Sequence, residues 1–298
     1  MSLSWRAGAL IAVVSVVVGL AAGLWGSAGG GAGRRVALVR PHLLEAGVLF
    51  GLYAAWQLVL DHTVTSVAGA AAHGRWIWHV ERTVRLPSEA SVQSVVLGHP
   101  VVVQAADRYY VLMHYGGMIA CLAWVFIRRP AGYRRCRRLL FLATAATIPL
   151  QAVPVAPPRA LAGLGVVDTA AVYHQSNYHG SALLHPGQLT AMPSVHVVWA
   201  LLVATFLVTT GAGRWRFLAL LYPATTIVVT VVTGNHYWAD AIVAAVIVGL
   251  ALIAEPPVAR ILGRAQARAG ATSGAVTATG GSTGRGAMVE AASESRIQ

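Results

Sequence analysis

The chain has 298 residues, of which 56% are hydrophobic and only 11% charged, and its mean hydropathy is +0.63. These values exclude an ordinary soluble domain and indicate a polytopic membrane protein. The net charge is +12 and all 22 basic residues are arginine, but the arginines fall in blocks between apolar runs. That is the pattern of topology signals and excludes nucleic acid as a partner.

In chain order, residues 10–28 form a first apolar run. Arg6 makes a weak n-region and Gly26-Ser27-Ala28 a poor cleavage site, so a retained helix is expected rather than a signal peptide. Further runs follow at about 42–60, 109–127, 139–155, 194–210, 217–233 and 238–253. A crossing needs ~17–25 helical residues, so each run is long enough or nearly so. The expected fold class is all-α, a membrane helical bundle with a six-helix core behind one N-terminal helix. The expected divisions are residues 1–33 (leading helix or signal-like segment), 34–258 (the core) and 259–298. The last of these is a cytoplasmic tail rich in Ala, Gly, Ser and Thr, where disorder is expected.

Between the second and third runs, residues 64–106 are too polar to span cleanly. Trp76 and Trp78 lie beside Arg75, Glu81, Arg82 and Arg85, which suits either helices lying in the interface or an ordinary loop. Pro149 and Pro154 are expected to kink the fourth core-side run. Cys121 lies in an apolar run and Cys136 in an Arg-rich loop, with no disulfide or zinc spacing. Glu45 sits near the start of the second run and reads as structural.

Arginine blocks at Arg34, Arg35 and Arg40, at Arg128 to Arg138, at Arg214 and Arg216, and at Arg260, Arg264 and Arg268 all fall on one side of a seven-crossing chain. The positive-inside rule makes that side cytoplasmic. The other side carries two polar words, residues 191–196 (AMPSVH) and 233–240 (TGNHYWAD). Ionisable groups at a membrane edge are costly and mark functional sites by default.

His236 and Asp240 are four residues apart at a predicted helix start and so share a face. A carboxylate beside an imidazole orients it and fixes its tautomer, the arrangement of an activated nucleophile or base. The competing reading is a capped helix start with a buried His–Asp pair. Ser194 is a predicted N-cap, and the helix end it opens attracts anions, phosphate above all. His196, inside that end, is placed to protonate a leaving oxygen; plain capping with an interfacial histidine is the alternative. The 40 residues between His196 and His236 hold one helical hairpin, which brings both words to the same face.

Pro193-Ser194-Val195-His196 and His236-Tyr237-Trp238-Ala239-Asp240 resemble the second and third motifs of the type 2 phosphatidic acid phosphatase superfamily, Pro-Ser-Gly-His and His-x-x-x-Asp. The wording looks most like its inositolphosphotransferase branch, which includes inositol phosphorylceramide synthases. The resemblance implies that His236 attacks phosphorus and becomes a phosphohistidine, with Asp240 as its partner. It implies that His196 protonates the leaving oxygen, and that Ser194 with nearby backbone N–H groups holds phosphate oxygens. It implies no metal and no cofactor. Membrane lipids would be the partners, either a lipid phosphate or a phospholipid, with a lipid alcohol as a possible acceptor.

The family's first motif, Lys-x6-Arg-Pro, is absent from a chain without lysine. Arg159 in Pro157-Pro158-Arg159 is the candidate phosphate clamp, since a guanidinium binds phosphate bidentately. Arg128-Arg129-Pro130 fits better as text but lies on the cytoplasmic side. Val229 and Thr230 stand where the third motif usually has Ser-Arg. Arg108, Tyr109, Tyr110 and His114 open the third run; Arg108 and His114 are candidate headgroup contacts, and an aromatic belt with a stem-burying arginine is the simpler reading. His174, His179 and His185 match no standard metal-ligand spacing, and Asp168 reads as solvated.

The function expected is a lipid phosphatase or phosphotransferase with its site on the extracytoplasmic side of a membrane, the inner membrane of a bacterium by composition. The rival is a transporter or lipid-binding protein of the same fold with a degenerate site. A vanadium-dependent haloperoxidase relative shares the pocket logic but is soluble, which the hydropathy argues against.

Overall fold

A helix satisfies every backbone group inside its own segment, which a bilayer core requires. The described residues follow that rule: they contain no strand and a single isolated bridge, Val155 to Thr190. The computed structural model describes residues 4–28, 39–63, 67–175 and 189–264. The chain divides into a compact unit Met1–Ala251 and a second, Leu252–Gln298, of which residues 252–264 are described.

The helices in chain order are α1 (Trp5–Ala28), α2 (Arg40–Thr63), α3 (Val67–Thr83), α4 (Glu89–Leu97), α5 (Pro100–Arg128) and α6 (Pro130–Gln151). The short α7 (Thr169–Val172) is followed by α8 (Val195–Thr210), α9 (Leu221–Val232) and α10 (Trp238–Arg264). The protein is an all-α polytopic membrane protein.

Among the described residues four helices are long and apolar enough to cross a bilayer: Trp5–Trp25, Arg40–Val59, Arg214–Val232 and Trp238–Arg264. The bent α5 makes a fifth, its halves Pro100–Met113 and Tyr115–Arg128 meeting at 47°. Two of the seven expected runs do not qualify. α8 has only 16 residues, short of the ~20 that span the hydrocarbon, and α6 carries Arg134, Arg135, Arg137 and Arg138 in its first half. α8 is apolar all round because its neighbours bury it: Val197, Val198, Ala200, Leu202 and Phe206 are each at most 1% exposed. It packs against α5, α6 and α9, a core helix rather than a lipid-facing one.

The polar segment after α2 is helical, as α3 and α4, and α5 starts at Pro100 rather than near 109. α6 ends at Gln151, so Pro149 lies within it and Pro154 beyond it. Cys136 belongs to α6 and not to a loop; both cysteines are free and buried. Glu45 joins α2 to α6, accepting from the Tyr133 hydroxyl at 3.2 Å and pairing with Arg137. The tail expected to be disordered lies almost wholly outside the described residues.

α1 and α2 form a hairpin, and α2 contacts α6. Trp56 of α2 donates through Nε1 to Gln151 Oε1 at 2.6 Å, and Gln151 Nε2 reaches Pro193 O at 3.4 Å. Buried polar groups must be partnered, and here the pairing runs from α2 through the end of α6 to the turn that opens α8.

Candidate active site

Three turns are stitched together by backbone hydrogen bonds. Val155 N–H donates to Leu189 O (2.6 Å), Ala191 N–H to Val155 O (3.0 Å), and Arg159 N–H to Gly234 O (3.0 Å). Tyr237, 1% exposed, donates its hydroxyl to Ala156 O at 2.7 Å, and burial pushes that phenol's pKa up. Gly74 on α3 permits the approach. A Cβ there would stand 2.7 Å from both Ala156 O and the Tyr237 hydroxyl.

His236 lies in the turn before α10 rather than inside the helix, so the expected shared helical face is not how it meets Asp240. Asp240 folds back over the helix start: its Oδ2 accepts from Tyr237 N–H at 2.8 Å and lies 3.2 Å from His236 Nδ1. A second acceptor, Ala191 O, is closer to Nδ1, at 2.7 Å. A carboxylate and a carbonyl oxygen both accept only, so Nδ1 carries the proton and Nε2 the lone pair. His236 is 5% exposed and Asp240 fully buried.

Ser194 is the N-cap of α8. Its side chain accepts from Val197 N–H at 3.4 Å and is fully buried. His196 is the second residue of the helix, and its ring centroid lies 5.7 Å from that of His236. The two expected words therefore meet in one place. Tyr110 of α5 stands against both: its ring stacks on His196 at 4.0 Å and 15° between planes, and its hydroxyl is 3.3 Å from His236 Nε2. The paired Tyr109-Tyr110 was visible in the sequence only as a belt. Beside His196 lies a small pocket walled in part by Tyr109, Tyr110, Thr226, Val229 and Thr230. The positions where the family has Ser-Arg are thus neutral walls.

Arg159 sits on the turn Pro158–Ala160 and is held on two edges, by Asn235 Oδ1 through Nε (2.8 Å) and by Asp168 Oδ2 through Nη1 (2.8 Å). Asp168 is therefore not merely solvated; it also caps α7, accepting from Ala171 N–H at 3.1 Å. Arg108 is exposed on α5, with no contact that ties it to the two histidines. The side chain of His114 lies outside the described residues, as do His179 and His185. Among the described residues no group of three or more His, Cys, Asp and Glu could hold a metal ion.

Besides Asp240, which the sequence pointed to, four more of the ten acidic residues, to which it did not point (Glu81, Glu89, Asp107 and Glu255), are at most 5% exposed. Their scarcity in so apolar a chain was the available signal, because buried carboxyls persist only with partners.

Fold and site define a polytopic membrane protein in which two histidines, one backed by a buried carboxylate, stand together where helices meet. The sequence model of the PAP2 superfamily matches residues 75–254, more than half of the chain, and the chain belongs to that superfamily. It is accordingly a phosphatase-like enzyme, of a superfamily that acts on lipid phosphates. No curated protein and no solved structure matches the chain.

Proposed function

We propose that this enzyme moves the phosphoryl group of a lipid phosphate or phospholipid headgroup through a phosphohistidine on His236. The observation that carries the reading is the double acceptor on His236 Nδ1, which leaves Nε2 as the nucleophile. In the first step Nε2 attacks phosphorus, the bond from phosphorus to the leaving alcohol oxygen breaks, and protonated His196 gives its proton to that oxygen. In the second step water or an alcohol attacks phosphorus, His196 takes its proton, and the P–N bond breaks. Asp240 supports the charge on His236. The stacked Tyr110 ring supports the imidazolium form of His196.

Phosphoryl transfer needs positioning and charge stabilisation more than covalent help. The N-terminal amides of α8 and the Arg159 guanidinium supply the latter in this reading, with Ser194 shaping the helix end. Val229 and Thr230 in place of Ser-Arg, which removes a cation, favour the transferase-like, inositolphosphotransferase branch over a simple phosphatase. Arg108 and His114 are peripheral headgroup contacts. The catalytic core is residues 34–258, with a leading helix in 1–33 and a cytoplasmic tail in 259–298. The arginine blocks support a site on the extracytoplasmic side, and the composition a bacterial inner membrane.

The test is release of phosphate and headgroup from phosphatidate, polyprenyl diphosphate and phosphatidylinositol in detergent, with and without a lipid alcohol, by wild type and His236→Ala. Wild-type turnover that vanishes in the variant supports the reading. Dependence on the alcohol identifies a transferase. Unchanged turnover in His236→Ala overturns the phosphohistidine, and no turnover by either protein brings forward a lipid-binding protein of the same fold.

A further inference from the structure

α10 begins at Trp238, so the N–H groups of its first turn lack partners in their own helix. Ala239 N–H donates instead to Glu81 Oε1 of α3, 2.6 Å away. Glu81 is 1% exposed, and Glu89 of α4, whose carboxyl faces it, is 0% exposed. The two carboxyls lie side by side, both reaching the same Arg82 nitrogen. Two like charges crowded together out of water do not both persist, so one of the pair carries a proton. Among the described residues, neither Glu89 oxygen receives a hydrogen bond from an N–H or hydroxyl group, so a proton on Glu81 is what remains to satisfy it. Arg82 faces both acids, its Nη2 3.5 Å from Glu81 Oε2 and 3.5 Å from Glu89 Oε2. One proton and one guanidinium against two carboxyls leave the buried cluster neutral. Removing the proton leaves a net negative charge out of water, which is strongly disfavoured.

We infer that Glu81 and Glu89 form a one-proton clamp on the start of α10, in which protonated Glu81 positions the turn carrying His236 and Asp240. The linkage is short. Ala239 precedes Asp240, whose Oδ2 holds Tyr237 N–H at 2.8 Å and lies 3.2 Å from His236 Nδ1. Glu81 is a positioning residue acting through α10. The ionisable and charged groups facing the pair are Arg82 from α3, and Asp240 and Tyr237 from the start of α10. Burial, then the proton shared with Glu89, push Glu81 from an ordinary 4.5 up to about 8, while Ala239 N–H and Arg82 pull the other way.

Two pH effects follow. The folded protein holds this proton up to about pH 8 while the unfolded chain releases it near 4.5. The clamp's contribution to stability is therefore complete below about 4.5 and is lost as pH rises through about 8. Turnover, which needs the protonated clamp in the folded state, falls above about pH 8. This second effect rests on the reading of His236 as nucleophile; the first does not.

The experiment compares full-length wild type, Glu81→Gln and Glu81→Ala in detergent, by thermal unfolding from about pH 5 to about pH 9.5 and by kcat and KM on short-chain phosphatidate. Gln keeps an acceptor for Ala239 N–H and a donor for Glu89 but cannot ionise. Wild type is expected to lose thermal stability up to about pH 8 and to lose kcat about tenfold per pH unit above it, with KM steady. Glu81→Gln should remove both dependences and restore most of the turnover that Glu81→Ala loses. A Glu81→Gln protein with the wild-type thermal pH dependence, or with the wild-type kcat limb, overturns the clamp. If wild type turns over none of phosphatidate, polyprenyl diphosphate and phosphatidylinositol, with or without a lipid alcohol, but the thermal dependence disappears in Glu81→Gln, the clamp stands and the phosphohistidine reading falls.

Discussion

The carbonyl oxygen of Ala191 lies 2.7 Å from Nδ1 of His236, nearer than Asp240 Oδ2 at 3.2 Å. The word that opens α8 thus sets the tautomer of the histidine in the word that opens α10. Where a lone carboxylate has that task, replacing it with its amide costs ~10⁴-fold in turnover because the wrong tautomer takes over. Here the nearer carbonyl still accepts from Nδ1–H when the carboxylate is lost. Asp240→Asn is therefore expected to lower kcat by only about 10- to 100-fold, the share due to lost charge stabilisation. Asn can still accept from Tyr237 N–H, so the fold at the helix start should hold. Phosphate release by the variant measures the effect. A loss near 10⁴-fold returns tautomer control to Asp240.

Tyr110 touches both histidines in different ways. Its hydroxyl meets the lone pair on His236 Nε2 at 3.3 Å, where an incoming phosphoryl group must sit, so that hydroxyl passes to a phosphate oxygen on binding. A hydrogen bond to a charged group is worth about 1.5–3 kcal/mol. Tyr110→Phe should accordingly lower kcat/KM by about 10- to 100-fold. Tyr110→Ala also removes the ring stacked on His196 at 4.0 Å and should cost more, through kcat. A Tyr110→Phe protein faster than wild type would show instead that the hydroxyl only obstructs the nucleophile.

The apolar runs were legible because lipid demands length and apolarity together, and α1, α2, α8 and α10 start where the sequence puts them or within a few residues. α3, α4 and the first turns of α5 were not, because their polar residues satisfy one another across long sequence distances. Gln93 shows the reason. It reads as a surface amide, yet it is fully buried, donating to Val167 O and Val232 O at 2.9 Å each and accepting from Val167 N–H at 2.8 Å. No local pattern encodes partners that distant. The site divides the same way. His196, Ser194, His236 and Asp240 sit in two short words and could be found, whereas Tyr110, Glu81 and the Ala191 carbonyl depend on the packing of other helices. α8 was legible as apolar but not as central, since a buried helix and a lipid-facing one have the same composition.

Arg159 is fixed by two neighbours, Asn235 and Asp168, each at 2.8 Å. The first adjoins His236, so the guanidinium is set relative to the nucleophile by a planar fork that an ammonium cannot reproduce. Arg159→Lys should lose about tenfold or more in kcat/KM with little change in thermal stability. The Asp168 side chain is one-third exposed, so solvent screens the pair, and its coupling in a double-mutant cycle on stability should be about 1 kcal/mol or less. A coupling well above that would mean the pair holds up the fold rather than the site.

Gly234 is the tightest point of the third turn. Its φ is +68°, and a Cβ there would lie 2.7 Å from Val166 Cγ1 and 3.0 Å from Arg159 Cβ. Both the left-handed backbone and the contact oppose any side chain, together by about 1–3 kcal/mol. Its carbonyl also receives Arg159 N–H at 3.0 Å, so relief of the clash moves Arg159 and, two residues on, His236. Gly234→Ala should lower the unfolding temperature in detergent and reduce kcat by about tenfold or more, since sub-ångström misplacement of a nucleophile is enough for that. Activity that falls in proportion to the folded fraction alone would show that the turn tolerates the shift and that His236 is held by Ala191 and Asp240 without help from Arg159.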